Sequence, residues 1–581
     1  MHPFRLLSSF LSPDNPLGFG VTDFFELILC ALLIVLLYLR PCFERVIRSL
    51  AQKTTLCFVI VAALPVALRL ALLPHHPVPS PDIYDEFGHL FVADTIRHFR
   101  LANPAHPLHQ FFETFFVLQE PTYSSIYPLG QGLVLALGWV LFGLPWAGVL
   151  VSIAAFCALC YWMLLGWTTR PWALIGALLA VIEFGPLNAW MNGYWGGSVS
   201  AIAGCLVFGA LPRLRERANR RAAAFLGAGL GVQLLTRPYG SIPLVLSVAV
   251  FLGLLLFRDW SPWRDMLRIA PVVLLAVLPA VALTLLQNKQ VTGRWTTLPY
   301  FLSQYQYGVP TTLTIQPNPL PHVPLTREQD LDYQAQRSFH GESPDTLNKF
   351  LLRLEYRVRF YRFFFLPPLY LALGIFLATI RKWTFLWVLG SLVLFALALN
   401  LFPYLYPRYL AAVTCLFVLA SVIGLQKLAS LNIRAWPAGH YAAIAILFVC
   451  AASFFLYYGA HLFENHDAAA EIEQYETWDA INHGNPARRI LVNEELARLP
   501  GKQLVFVRYW PNHIFQDEWV YNAADIDAAR LVWARDLGPA EDEKLRQYYP
   551  DRTVWLLEPD ARPPKLSRYG AQPPGPFLEV K

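Results

Sequence analysis

A polytopic α-helical membrane protein with a small C-terminal α/β domain is the fold this sequence predicts, with about 12–13 apolar helices. Three observations predict it. Of the 581 residues 56% are hydrophobic and only 15% charged, with 40 Phe and 18 Trp, more apolar sequence than a soluble core needs. The apolar residues come in blocks of about 15–23 residues, long enough or nearly so to cross a bilayer as helices. Past residue 461 the chain turns polar, and short β-type runs replace the blocks.

In chain order the apolar segments are 22–39, 54–73, 129–143, 146–167, 171–187, 197–211, 222–236, 240–257, 269–286, 364–380, 384–402, 409–425 and 438–460. The loops between them differ in charge, and that orients the chain. Arg40 to Lys53, the group Arg213, Arg215, Arg217, Arg220 and Arg221, then Arg258–Arg268, Arg381-Lys382 and Lys427–Arg434 are basic and expected on the cytoplasmic side. Loop 74–127 sets Arg97 and Arg100 against six acidic residues and is expected outside. Loop 287–363 holds nine basic residues but is too long for the charge rule, so parity with its neighbours places it outside too. Met1–Gly20 shows no cleavage pattern of a removable signal peptide. The eight cysteines lie in apolar segments or beside a basic loop, so no disulfide framework is expected, and Cys157 and Cys160 are read as packing residues.

One count does not close. Lys53 and Arg213, both expected in the cytoplasm, enclose five apolar segments where an even number of crossings is required. The weakest is 129–143, which is short and contains Gly130, Gly132 and Gly138. It is a half-span or a surface helix, or else one basic loop is misassigned.

Residues 1–53 are read as an N-terminal helix and cytoplasmic linker, 54–460 as the transmembrane module, and 461–581 as a soluble domain on the outer side. In the last, Leu504–Arg508, Leu531–Ala534 and Thr553–Leu557 read as strands and Glu541–Tyr549 as a helix, which suggests a partly parallel sheet. Pro563, Pro564, Pro573, Pro574 and Pro576 mark a loose tail. The domain is expected to be an independently folded module that docks an acceptor or partner rather than doing chemistry.

No Gly-rich phosphate loop or zinc spacing occurs, and no nucleic-acid partner is expected. Any chemistry has to come from the outward loops. If Pro81–Leu90 is helical, Asp82, Asp85, Glu86 and His89 sit at i, i+3, i+4 and i+7, on one face. Ile83, Phe87, Leu90 and Phe91 fall roughly opposite, so the helix is expected to lie on the bilayer with its acids pointing away from lipid. Three carboxylates on one face repel each other, which suits a proton acceptor or a cation site. The plainer alternative is an acidic first turn at a helix N-terminus, capped by Ser80 or Asp82. His75, His76, His89, His98, His106 and His109 add ligand atoms to the loop and make a divalent metal an option, though their spacing gives no clear ligand geometry. No other cofactor is indicated. Tyr127 belongs to a Pro-rich turn, Tyr194 and Trp195 to an aromatic stretch, and Arg237 with Tyr239 and Arg408 with Tyr409 to helix ends. Such aromatics serve an interface belt or a sugar platform, and such arginines anchor at the interface or grip a lipid phosphate.

A multi-pass chain with an Asp-Glu pair in its first large outward loop resembles the GT-C membrane glycosyltransferases. Within them it is most similar to the protein O-mannosyltransferase, aminoarabinose-transferase and RgtA/B/C/D-like branch, over roughly residues 54–460. Asp85-Glu86 matches the Asp-Glu motif, Tyr127-Pro128-Leu129 the Pro-rich turn that follows, and Pro407-Arg408-Tyr409-Leu410 the Arg-Tyr element of a late helix. There is one departure. Many relatives carry a lysine before the Pro-rich turn to meet the lipid phosphate; Tyr127 stands here, and the phosphate contact is expected from Arg237 and Arg408 instead.

The resemblance implies a hexosyl or pentosyl transferase that moves a sugar from a polyprenyl-phosphate donor to a lipid, glycan or protein acceptor, on the outer (periplasmic) face of the cell's inner membrane. It implies Asp85 as general base in an inverting displacement, with Glu86 or Asp82 orienting acceptor or base. Arginines would stabilise the departing phosphate, and His89 or an arginine would help keep Asp85 ionised. Substrate contacts are expected from His89, Tyr127, Tyr194, Trp195, Arg237, Tyr239, Arg408 and Tyr409. Asp94, roughly opposite Asp85, is expected to tolerate Asn. A transporter or flippase of a lipid-linked glycan, or a non-catalytic membrane assembly factor, would share this composition. Transporters place ionisable residues at mid-membrane; here the apolar segments carry few, chiefly Asp23, Glu26, Arg69 and Glu183, which favours an enzyme.

Overall fold

The structure, a computed structural model, describes residue 30 and residues 42–570 apart from 259–262, 342–344, 435, 464–476 and 479–485. The predicted segment 22–39, apart from Cys30, and the prolines Pro573, Pro574 and Pro576 lie outside the described residues. Every other predicted apolar segment is a helix: Thr54–Ala71, Leu129–Phe142, Pro145–Leu165, Arg170–Phe184, Ser198–Glu216, Arg220–Thr236, Pro238–Arg258, Trp263–Thr292, Leu369–Thr379, Trp383–Asn400, Thr414–Ala429 and Ala438–Leu462. A helix closes the backbone hydrogen bonds within its own segment, which a medium without water demands. Eight described helices are long and apolar enough to cross a bilayer, and the chain is a polytopic α-helical membrane protein. Of an 18-residue window within Pro407–Ala429, 89% is buried, against 11% of such a window within Met266–Thr292. The first is the centre of the bundle. The second is its rim, where Leu274, Leu275 and Leu278 stay exposed as lipid-facing side chains do.

Side-chain contacts show which helix ends lie together. At one end Arg69 donates to Asn192 at 2.6 Å and to the His76 carbonyl at 2.9 Å, and Trp146 donates to the Met191 carbonyl at 2.8 Å. At the other, Arg213 donates to the Trp162 carbonyl at 2.8 Å and Thr168 to Gln426 at 3.0 Å. Thr54–Ala71, Pro145–Leu165, Arg170–Phe184 and Ser198–Glu216 each run between these two ends. Leu129–Phe142 does not. It starts next to Tyr127 and stops at Gly143, whose left-handed backbone (φ 70°) turns the chain into Pro145 at the same Arg69 end. Its 14 residues rise about 21 Å, less than the roughly 30 Å of a hydrocarbon core. It is a surface helix, and the count between Lys53 and Arg213 closes on an even number.

The Arg69 end also carries both long loops and the polar C-terminal region. There a four-stranded sheet runs in the order Leu531–Arg535, Gln503–Val507, Thr553–Glu558, Lys565–Arg568, the first three parallel and the last antiparallel. The helix Pro539–Tyr548 is where the sequence expects one; the helix Ala487–Arg498 and the edge strand Lys565–Arg568 are additions to that reading. The central strand is buried throughout, which is why Gln503–Val507 lacks polar alternation. Its side chains feed two cores. Val505 and Val507 pack with Trp533 and Leu557 against Val492 and Leu496. Leu504 and Phe506 share a core with Phe91, Phe111, Phe112 and Tyr123, so the second face of the sheet is completed by loop 74–127.

Arg535 fastens the three outer pieces together. Buried to 5% exposure, it donates to the Glu113 carbonyl at 2.6 Å, to Glu328 at 2.6 Å and to Glu518. Arg535→Ala would leave two buried carboxylates without their cation, a loss of about 3–5 kcal/mol. We expect a lower melting temperature and earlier proteolysis of loop 287–363; an unchanged melt and digestion pattern would show that the junction does not hold the loop.

Candidate active site

The acidic stretch forms a helix from Tyr84 to Arg97. Its N-cap is Ile83, in extended conformation and without a side-chain cap, so neither Ser80 nor Asp82 caps it. Instead the Glu86 carboxylate reaches back and accepts the Asp82 N–H at 2.9 Å. Asp82 precedes the helix, off the predicted face. The residue is exposed, yet partial desolvation and Asp517 raise its carboxyl and Arg489 lowers it, the last two both in the C-terminal region.

The apolar side of the helix does not rest on lipid. Phe87 stacks on Tyr521 with 4.3 Å between ring centres, and Phe91 packs on Tyr123 at 4.5 Å. The C-terminal domain covers the surface that the sequence pattern assigns to the membrane. The acids turn inward: Asp85, Glu86 and His89 are 9%, 8% and 5% exposed. Asp94, on the covered side, accepts the Ala524 N–H at 2.8 Å and pairs with Arg97 at 2.7 Å. It is a joint to the C-terminal domain rather than a free surface acid.

Tyr127 donates its hydroxyl to Asp85. Gly88 makes that approach possible, because a Cβ there would come within 2.5 Å of the Tyr127 ring. Burial raises the Asp85 carboxyl, and Tyr127, Arg408 and Arg237 oppose the rise, leaving it at about 6. Arg237 lies over the Tyr409 ring at 4.8 Å and Arg408 over Trp195 at 3.3 Å. Among the described residues no carboxylate comes within 4.0 Å of either guanidinium, and the Arg237 Nε is buried with no hydrogen-bond partner. Two arginines with unused donors beside one carboxylate form a ready anion site.

His89 lies against Tyr127, 4.3 Å between ring centres. Burial, then Arg237 and Arg408, pull its pKa down to about 3, so it is neutral at ordinary pH and adds no charge in favour of the Asp85 anion, which Tyr127 and the two arginines support. Glu86 accepts the Tyr194 N–H at 2.7 Å, and Gly193 leaves the space its carboxylate fills, since a Cβ would stand 2.5 Å from Oε1. The Tyr194 hydroxyl donates to the Pro79 carbonyl at 2.7 Å. Glu86 thus clamps the helix to the 188–197 stretch. Tyr239 donates to the Ala398 carbonyl at 2.6 Å and ties two helices together.

Sequence reasoning missed Asp332. It lies on the helix Arg327–His340 of loop 287–363, is 3% exposed and accepts from Gln336 at 2.8 Å. Burial raises its pKa, with a contribution from Asp85, to about 7. Tyr84 feels both acids together with Tyr404 and Tyr406. Glu328, Asp332 and Gln336 recur every fourth residue, a pattern that normally marks a solvated face; here that face is buried. The loop histidines are scattered. His106 faces Tyr549, His98 pairs with Asp94, and among the described residues no group of three His, Cys, Asp or Glu is placed to hold a metal ion.

No known protein family and no curated protein sequence matches the chain. Solved structures similar to it include ArnT from Cupriavidus metallidurans in the apo state, over 87% of this chain and 93% of that one, at 15% identity and a TM-score of 0.46. The same protein bound to undecaprenyl phosphate covers 86% and 88%, at 16% identity and a TM-score of 0.43. The archaeal oligosaccharyltransferase AglB from Archaeoglobus fulgidus, in complex with an inhibitory peptide and a dolichol-phosphate, covers 87% and 69%, at 12% identity and a TM-score of 0.40. These neighbours are GT-C membrane glycosyltransferases.

Proposed function

We propose that this protein is an inverting membrane glycosyltransferase that takes a sugar from a polyprenyl-phosphate donor, with Asp85 as general base. The observation that carries the reading is the pair Arg237 and Arg408, without carboxylate partners among the described residues, beside one buried carboxylate held at about 6. The acceptor oxygen bonds to the anomeric carbon while its proton passes to Asp85. The bond from that carbon to the phosphate oxygen breaks, and the phosphate leaves with the electron pair, its charge taken up by the two guanidinium groups. Tyr127 occupies one oxygen of Asp85 and fixes its orientation. Glu86 is a positioning residue. Asp332, on the facing loop, is set to receive or orient the acceptor. The apolar helices bring a lipid-linked donor to the site without any nucleotide-binding motif.

The test is transfer from a polyprenyl-phosphate sugar by the full chain in nanodiscs, read as released polyprenyl phosphate. The base works ionised, so kcat/KM should rise with pH through about 6 and then level off. Tyr127→Phe removes a bond that favours the anion, so the rise should move to higher pH. A flat profile from pH 5 to 8 would exclude Asp85 as the titrating base.

We place the Arg69 end of the bundle, with loops 74–127 and 287–363 and residues 461–581, on the outer side of the inner membrane, because the basic loops gather at the opposite end. Single cysteines at the exposed positions Arg100, Ser338 and Ala540 should react with an impermeant thiol reagent before lysis. Labelling only after lysis would reverse the orientation.

A further inference from the structure

Near its end, loop 287–363 holds a helix, Leu347–Arg357, whose leucines stand open. Leu347 is 74% exposed and Leu351 51%. With the half-buried Leu354 and the exposed Val358 they recur at i, i+4, i+7 and i+11, so they form one apolar stripe. Leu352 alone of the leucines falls off it. An exposed stripe of this kind marks an interaction surface.

The helix is pinned beside the last turn of Trp383–Asn400. Arg353 donates to the Asn400 carbonyl at 2.9 Å, and Arg357 to the carbonyls of Leu399 and Pro403 at 3.1 and 2.6 Å. The Asn400 amide returns a bond to the Phe350 carbonyl at 2.8 Å. At about 100° per residue, the two arginines lie between the stripe on one side and Lys349 with Tyr356 on the other. The pins also set the depth. From Leu397, one turn further into the bundle, Leu397, Val393 and Leu386 are exposed along Trp383–Asn400 as lipid-facing residues are. The stripe therefore sits where hydrocarbon begins. Beyond it Arg359 covers the rings of Tyr356 and Phe360 at 3.7 and 5.1 Å, and such residues suit the headgroup level. The chain then bends by 115° into Leu369–Thr379, where Leu371 and Leu377 are exposed. A bend a little past a right angle lays Leu347–Arg357 close to the membrane plane.

We propose that this helix is an in-plane anchor at the Arg69 end of the bundle, with its leucine stripe among the acyl chains and Lys349 toward the phosphate headgroups. Its partner is the lipid surface, because the stripe continues the lipid-facing sides of the two helices it adjoins. Pro403 precedes Arg408 by five residues, so the anchor sets the level of that arginine against the bilayer. The task of Arg408 rests on the glycosyltransferase reading; the lipid contact does not.

The test places spin labels singly through Leu347→Cys, Leu351→Cys and Lys349→Cys, in the full chain in nanodiscs of phosphatidylcholine and phosphatidylglycerol. Labelled wild type supplies the background. Power saturation then compares relaxation by oxygen, which enters hydrocarbon, with relaxation by a water-soluble nickel chelate. The two leucine positions should be reached by oxygen and shielded from nickel, and the Lys349 position should show the reverse. Nickel access at the leucine positions, or the opposite order, would overturn the proposal. So would shielding from both relaxants, which would show a protein partner on the stripe, or dipolar broadening between labels on two chains, which would show a second copy there. None of these readings involves sugar transfer, so a chain that never transfers sugar can still confirm the anchor.

Discussion

Asp85→Asn should stop sugar transfer while leaving the protein folded and its donor binding nearly intact. The substitution keeps the shape of the side chain and an acceptor for the Tyr127 hydroxyl, yet removes the group that takes the proton. Loss of a positioned base typically lowers the rate about 10²–10⁴-fold. Stability should move the other way. The folded carboxyl titrates at about 6 against an ordinary 3.8, so the folded state binds the proton more tightly than the unfolded chain. Stability from this group therefore falls as pH rises from about 4 to about 6, and the penalty is complete above that. Its size is on the order of 2–3 kcal/mol. The Asn variant should melt higher than the wild type near pH 7, and the gap should close near pH 4. A residue serving only the helix N-terminus would show the opposite: a slightly lower melt and unchanged turnover. Single-turnover transfer and melting curves on the same preparations separate the two cases.

Removing Arg237 or Arg408 should lower the transfer rate by about 10²–10³ each, the range seen when one donor to a developing oxyanion is lost. Lys at either position should recover only part of the loss, because a point charge cannot bind two phosphate oxygens in one plane. The arginines also favour the Asp85 anion, so either Ala variant should push the pH rise in kcat/KM above about 6. That second effect is visible even if donor binding also weakens. Wild-type turnover together with an unmoved pH profile in both variants would remove the phosphate role. Arg408 covers Trp195 and Arg237 covers Tyr409, so retained melting behaviour has to accompany the kinetic comparison.

The sequence determined the apolar helices one by one, because a backbone without water has a single way to satisfy itself over some twenty residues. It also marked three strands of the C-terminal sheet through their buried apolar runs, and the helix that carries Asp85, Glu86 and His89, although Asp82, the first residue of the expected face, precedes that helix. What it could not decide was what covers each face. The helix 84–97 has one acidic and one aromatic side, and composition alone assigns the aromatic side to lipid. Tyr521 and Ala524, more than 400 residues away in the chain, occupy that side and turn the acids inward. Asp332 was invisible for the same reason, since a polar helix face looks solvated until a second surface closes over it. The surface helix 129–142 needed the positions of Tyr127 and Trp146 to show that both its ends lie at one end of the bundle. Hydrophobic pattern reports the local preference of a segment for water, lipid or core. Which of the last two it meets depends on contacts between residues far apart in the chain, and these exist only once the whole chain has packed.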